Sequence, residues 1–195
     1  MYVRDARNRE EAWLLDHIDE MNLDDAAFRS RDYVIALDEE TDERAGFGRL
    51  RIHKTEGGNY CELTGIGVLE EWRGQGVGAH VLERLIKKAS DQGFEIVYSI
   101  TGAPEYLVQF GFDPVTDDTL PDRIRDRLDR KRDDVDPDST AMVLEVDDFG
   151  MPETLREAFK AAEPKELTTD DSRKELAEEF DIDTENATYK YDTGR

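Results

Sequence analysis

Three glycines, Gly74, Gly76 and Gly78, stand at alternate positions between Arg73 and a helix-patterned run, in EEWRGQGVGAHVLERLIKKA over residues 70–89. The first turn of a helix carries main-chain N–H groups without intrahelical acceptors and a partial positive charge, so it can hold phosphate. Glycines let the backbone approach such a ligand and admit positive φ. Arg73 supplies a fixed cation for the same phosphates. Together they read as a pyrophosphate cradle; the alternative is a tight turn whose glycines serve packing alone. The P-loop pattern is absent, because no Gly-Lys-Ser/Thr follows. GQGVGA fits the dinucleotide pattern G-x-G-x-x-A, but a Rossmann unit needs alternating strands and helices, and here a strand meander comes first.

Other residues suited to chemistry lie upstream. In the strand-like run YCELTGIGVL, alternation places Glu62, Thr64, Ile66 and Val68 on one face. A carboxylate there can serve as general base, or be a solvated strand residue. His53, on the neighbouring strand, is the second candidate, since imidazoles titrate near neutrality. His17 and His80 have no supporting constellation and read as structural or solvated. Arg29, Arg31, Arg49 and Arg51 are candidates for holding carboxylates, or they balance nearby acids. No spacing suggests a metal site.

The elements that must position these residues are set by periodicity. MYVRDA reads as a strand, and residues 9–22 carry apolar residues at helical spacing. Residues 24–29 add a helical turn. Strands come next at 32–39, 44–54 and 60–69. A helix over 76–90 stops at Gly93, and the apolar run 94–100 is a buried strand. APEYLVQFG is a short helix, FDPV an extended piece, 120–132 a charged helix opened by Pro121, and 139–146 the last strand. Beyond it, MPETLREAFKAA and DSRKELAEEF look like two helices in an acidic extension over 148–195. The fold class is α/β (α+β): a mixed, mostly antiparallel central sheet flanked by helices.

The chain has 195 residues, 26 basic and 48 acidic, for a net charge of -22. That charge argues against a nucleic-acid partner, whose phosphates it repels. No apolar run is long enough to span a membrane, and the start MYVRDARNREEAW has no signal-like core, so the expectation is a cytoplasmic protein. The single cysteine, Cys61, excludes an internal disulfide. The acids are scattered, and 8 lysines stand against 18 arginines, a surface suited to high salt.

Arg73-x-x-Gly76-x-Gly78 resembles the R/Q-x-x-G-x-G/A motif of the GCN5-related N-acetyltransferases (GNAT). The strand Ile66-Gly67-Val68 before it, Trp72 and the helix after it fit that resemblance, as does the element order from residue 1 to about 147. Gly111-Phe112, Leu120-Pro121 and Ala141-Met142-Val143 resemble the amino-acid branch, the N-acetylglutamate synthase-type domains. The resemblance implies acetyl-CoA as co-substrate, with its pyrophosphate held by Arg73, Gly74, Gln75, Gly76, Val77 and Gly78. It implies that Ile66, Gly67 and Val68 line the acetyl end, and that Glu62 acts as general base. Many members place a tyrosine, as general acid, five residues before the Phe of Gly-Phe. Leu107 stands there, with Tyr106 displaced by one position, about 100° on a helix. Water or Tyr98 is the other proton donor considered.

The expected activity is acetyl transfer to the amine of a small acceptor, among them the α-amino group of glutamate, by a monomer or homodimer with no nucleic-acid or membrane partner. A peptide or protein N-acetyltransferase, a non-catalytic acyl-CoA-binding module, and an acidic interaction protein working through its extension are the alternatives. The acidic excess generates a first prediction. Screening of self-repulsion raises the melting temperature between low and molar KCl. A flat or falling melting temperature over that range excludes a salt-adapted surface.

Overall fold

The computed structural model describes residues 1–24 and 26–166. The second helix expected in the extension, DSRKELAEEF, lies outside the described residues. Seven strands form one sheet in the order β1-β2-β3-β4-β5-β7-β6. They are β1 (Tyr2–Asp5), β2 (Tyr33–Leu37), β3 (Arg44–Thr55), β4 (Gly58–Val68), β5 (Ile96–Thr101), β6 (Asp113–Pro114) and β7 (Thr140–Glu145). Every neighbouring pair is antiparallel except β4 and β5, which run parallel. The mixed, mostly antiparallel architecture expected from the pattern is therefore the one observed.

Side-chain alternation divides the helices between two faces. Val34 and Ala36 of β2, Val97 of β5 and Met142 of β7 pack with α2 (Val77–Asp91). Leu107 of α3 (Pro104–Val108) and Phe159 of α5 (Glu153–Lys160) join the same core. On the other face, Tyr33, Ile35 and Leu37 meet Leu14 and Ile18 of α1 (Glu11–Glu20). There too, Ile100 and Ala141 meet Ile124 and Leu128 of α4 (Asp122–Asp134). Of the described residues 24 and 26–29, Ala26 and Ala27 lie in a turn and none is helical, unlike the expected helical turn. Ala27 lies at φ +53° in that stretch, a value that cannot continue a right-handed helix.

Two irregularities shape the centre of the sheet. The parallel pairing of β4 and β5 covers only Cys61–Val97, Glu62–Tyr98 and Leu63–Ser99. The strands then part, and the Ser99 hydroxyl closes the last rung on the Leu63 carbonyl at 3.1 Å. On its other side β4 shifts register against β3, from Phe47 opposite Gly67 to Arg49 opposite Thr64. The extra residue is a bulge at Gly65, whose φ of +57° suits glycine.

Helix α2 lies directly on β3. A methyl group at Gly48 would stand 2.6 Å from Val81 Cγ1 and 2.9 Å from Leu85 Cδ1. Both partners are fully buried, and the β-branched Val81 is stiff at χ1. Gly48→Ala is expected to cost about 1–3 kcal/mol by overpacking. The check is the denaturation midpoint; wild-type stability would show that α2 slides freely on the sheet.

Candidate functional site

The Gly-rich turn stands at the open end of the parted strands. None of the main-chain amides of Gly74, Gln75, Gly76, Val77, Gly78 and Ala79 has an acceptor among the described residues. The next one, of His80, bonds the Gly76 carbonyl at 3.1 Å and starts the α2 ladder. Six successive donors at a helix N-terminus form a concave array suited to an anion. Tyr106 leans over it: a methyl at Gly78 would stand 3.4 Å from Tyr106 Oη and 3.4 Å from Val68 Cγ2. Tyr106 is exposed and set edge-on against Phe110, while Leu107 turns into the core. The one-position displacement read from sequence thus brings the tyrosine to the rim of the array.

The array is braced from behind by the chain after β7. Gly76 adopts φ +74°, and a methyl there would run into the Leu155 carbonyl of α5. The buried His80 ring stacks on Phe159, centroids 3.8 Å apart, and its Nδ1 donates to the Gly76 carbonyl at 3.0 Å. Burial pushes the His80 imidazole below its ordinary titration range, so the ring is a neutral prop. The Gln75 side chain pairs with the backbone of Glu163, donating at 2.8 Å and accepting at 3.1 Å. The amide of Lys165 bonds the Glu71 carbonyl at 2.9 Å. Arg73 spends its Nε on the Val68 carbonyl at 3.2 Å, tying the end of β4 to the turn.

Glu62 occupies a different surface from the one alternation assigned to it. The Gly65 bulge breaks the period of two, so the expected common face of Glu62, Thr64, Ile66 and Val68 is split. Glu62 pairs with Arg51 and Thr64 with Arg49, on the side of α1 and α4. Ile66 and Val68 turn toward α2, with Ile66 Cγ1 3.2 Å from where a Gly48 methyl would sit. Gly67 faces the other way, against Met21 and Phe47. Its lack of a side chain is therefore a packing requirement.

A charged chain runs along the Glu62 side at the foot of the parted strands. His53 Nε2 and Glu62 Oε2 are 2.6 Å apart, both buried. Arg127 of α4 reaches Glu62 through Nε at 3.2 Å and an η nitrogen at 3.3 Å. Its other η nitrogen meets Asp24 at 2.6 Å, and Asp24 also binds Arg51 at 2.8 Å. Burial alone would raise the Glu62 carboxyl; the His53 hydrogen bond and the Arg127 charge outweigh it and hold the group below the usual carboxylate range. Tyr98 is half-buried beside Tyr60, and burial raises its hydroxyl. Burial likewise pushes the Cys61 thiol up to about 12, which keeps it protonated.

The arginines considered for carboxylate binding divide by role. Arg49 is buried and donates to the carbonyls of Ala26 and Ala27 at 2.9 and 2.6 Å. Arg51 adds the Ala26 carbonyl at 3.2 Å to its Asp24 bond. Both therefore pin Asp24, Ala26 and Ala27 to the sheet. Arg29 and Arg31 are exposed and reach no such partner among the described residues. Asp24 and Arg127 were not singled out from sequence, because a contact between residues so far apart leaves no mark in local spacing. No group of three or more potential metal ligands occurs among the described residues.

The family model for the acetyltransferase (GNAT) family matches residues 2–112. The chain belongs to the GNAT family. Among solved structures, N-acetylglutamate synthase from Neisseria gonorrhoeae, complexed with coenzyme A and N-acetyl-glutamate, superposes with a TM-score of 0.58 at 18% identity. That match covers 74% of this chain and 34% of the synthase, so the chain spans about a third of that protein. Rv2747 from Mycobacterium tuberculosis, in a complex containing CoA, gives 0.58 at 18% identity over 74% of this chain and 99% of that one. A mosquito arylalkylamine N-acetyltransferase-like protein gives 0.54 at 11% identity, over 74% and 99%. At these identities the likeness is one of fold.

The buried pair generates the prediction here. Arg127→Met removes the cation facing Glu62 and leaves a buried carboxylate held only by His53. The expected loss is about 3 kcal/mol, the lower end for breaking a buried pair. Because the folded Glu62 carboxyl is depressed, its contribution in the wild type is present above the ordinary value of 4.5 and is lost as pH falls through the folded value. Denaturation of both proteins at neutral and acid pH checks this. The gap between them narrows in acid; a gap constant with pH would show that the pairing carries no stability.

Proposed function

We propose that this GNAT-family chain transfers the acetyl group of acetyl-CoA to the amine of a small acceptor. The observation that carries the reading is the row of six main-chain amides without acceptors, set at the N-terminus of α2 beside the parted strands. In this reading the amides and Arg73 hold the pyrophosphate. The unpaired edge of β4, over Ile66, Gly67 and Val68, lines the acetyl end. Tyr106, on the rim, contacts the bound thiol ester arm. The complexes of the gonococcal synthase and of Rv2747 with coenzyme A support a common use of this fold.

Acetyl transfer needs a neutral amine nucleophile, an acceptor for its proton and a proton for the departing thiolate. Glu62, assigned as base, is an ionised carboxylate with its oxygens occupied by His53 and Arg127. We read the Glu62–His53 pair as the proton-accepting unit, with Glu62 fixing the imidazole that it bonds. The acceptor class is a small amine, and glutamate stands first because of the branch resemblance at Gly111-Phe112, Leu120-Pro121 and Ala141-Met142-Val143. We assign catalysis to residues 1–147 and the bracing of the cradle to the start of the extension 148–195.

Gly78→Glu tests the cradle, since a Cβ at this position lies at the rim beside the Tyr106 hydroxyl and Val68, 3.4 Å from each, and meets no atom of α5. The expected outcome in calorimetry is acetyl-CoA binding weakened by more than about a hundredfold, a charge effect in a desolvated anion site, with the melting temperature kept. Unchanged affinity overturns the cradle. Glu62→Gln tests the pair: kcat in a CoA-release assay with an amine panel including glutamate falls by about 10²–10⁴ while acetyl-CoA affinity is retained. Near-normal turnover across the pH range removes Glu62 from the proton path.

A further inference from the structure

A second anion site lies at the far end of β3, away from the glycine turn. Strand β2 accompanies β3 only as far as the Tyr33–Arg49 pair. Beyond it, β3 continues to Thr55 with β4 on one side and no strand among the described residues on the other. A cleft of about 750 Å³ opens along this free edge, between the segment 27–32 and the second half of α2. Seven of its lining side chains are cationic and three are carboxylates, in a chain whose net charge is -22.

The cations come from three separate elements. Arg29 and Arg31 stand on the 27–32 segment and Lys54 on the strand; all three are exposed, and their side chains form no hydrogen bond or ion pair among the described residues, although the Arg31 carbonyl accepts from Lys88 Nζ at 2.9 Å. Arg84 and Lys88 enter from α2, sharing Asp5 at 2.8 and 3.4 Å. Arg49 and Arg51 form the floor while holding Asp24, Ala26 and Ala27, and Arg49 Nε is buried without an acceptor among the described residues. Charge on an open strand edge guards against edge-to-edge pairing, and one or two lysines or arginines on the strand suffice for that. Edge protection does not account for cations converging from a loop and a helix onto one concavity. Nor does neutralisation of neighbouring acids, since three of the seven have no acidic partner among the described residues. In a protein that repels anions overall, so concentrated a local field is what a bound anion requires.

We propose that this cleft binds a small polyanion carrying two or more carboxylate or phosphate groups, separately from the acetyl-CoA site. The volume suits a compact metabolite rather than a chain, and the donors are forked guanidinium groups that match planar acids and phosphates. The test uses the full chain and two probes, citrate and inorganic pyrophosphate, by calorimetry at low KCl with and without saturating CoA. The comparison protein combines Arg29→Ser, Arg31→Ser and Lys54→Ser, three exposed positions whose loss leaves the fold intact by melting. The expected result is one-site binding of at least one probe, unaffected by CoA and weakened about tenfold or more by the triple change. Which probe binds separates carboxylate from phosphate ligands. No binding of either probe, equal affinity in the variant, or loss of binding when CoA is added overturns the proposal; the last would place the anion in the glycine turn. The outcome does not depend on whether the chain acetylates an amine.

Discussion

Six neighbouring amide donors cannot be left without acceptors unless the backbone that carries them is held against rearrangement. Left to itself, a Gly-rich turn before a helix would fray or tighten to satisfy those groups internally. The surrounding structure prevents both. Gly76 is pressed on the carbonyl of Leu155, and its own carbonyl is bonded twice by His80. Phe159 backs the His80 ring, and the Gln75–Glu163 pairing fixes the front of the turn. The strand that leads in is fixed as well, through Arg73 on the Val68 carbonyl. Without α5 the amides would retain their sequence but lose their shape. A segment that lies beyond residue 112, where the family match ends, therefore shapes the part of the chain most typical of the family.

The same economy governs charge. With 48 acidic residues, the chain cannot rely on its general field to attract an anion, so each anion-facing surface is local. In the proposed cradle the work would fall to backbone dipoles, which carry no net charge and are not neutralised by ion pairing with the surrounding acids. At the foot of the strands, cations and carboxylates alternate from Arg51 through Asp24 and Arg127 to Glu62 and His53. That arrangement allows a carboxylate to be buried yet ionised. The chain also fastens Asp24 to α4, so that residue and the buried pair are held by the same arginine.

Much of this was legible in the sequence. The strand meander, the amphipathic α2, the buried β5 and the glycine turn all come from periods of two and 3.6 and from glycine placement. The position of Glu62 did not, although a signal was present: Gly65 inside a strand pattern marks a bulge, and a bulge reverses the face presented by the residues after it. Reading alternation straight through it put Glu62 beside Ile66 and Val68. His80 looked structural, and it is, but its task of shaping the turn depends on Phe159, 79 positions away. Arg127 sat in a helix so rich in charge that nothing distinguished the residue that would face inward. Local pattern gives elements and faces; it does not give partners across the sheet.

The bulge and the parting of β4 from β5 are one device. A regular β4 would keep Glu62, Ile66 and Val68 on a single side, and the base of the opening would share a surface with α2. By inserting one residue at Gly65, the strand turns Ile66 and Val68 toward the glycine turn while Glu62 and Thr64 stay on the side of Asp24 and α4. Parting from β5 after Leu63 leaves the intervening backbone open between these two surfaces. In the proposed reaction the acetyl donor would enter along the α2 side and the amine along the α4 side, each meeting its own set of side chains. Their encounter would be confined to the few residues where the strand has neither a regular period nor a partner on its β5 side. In that reading the amine would meet α4 and the surroundings of Asp24, and the donor the glycine turn and α2, so the two would be gripped by separate side chains.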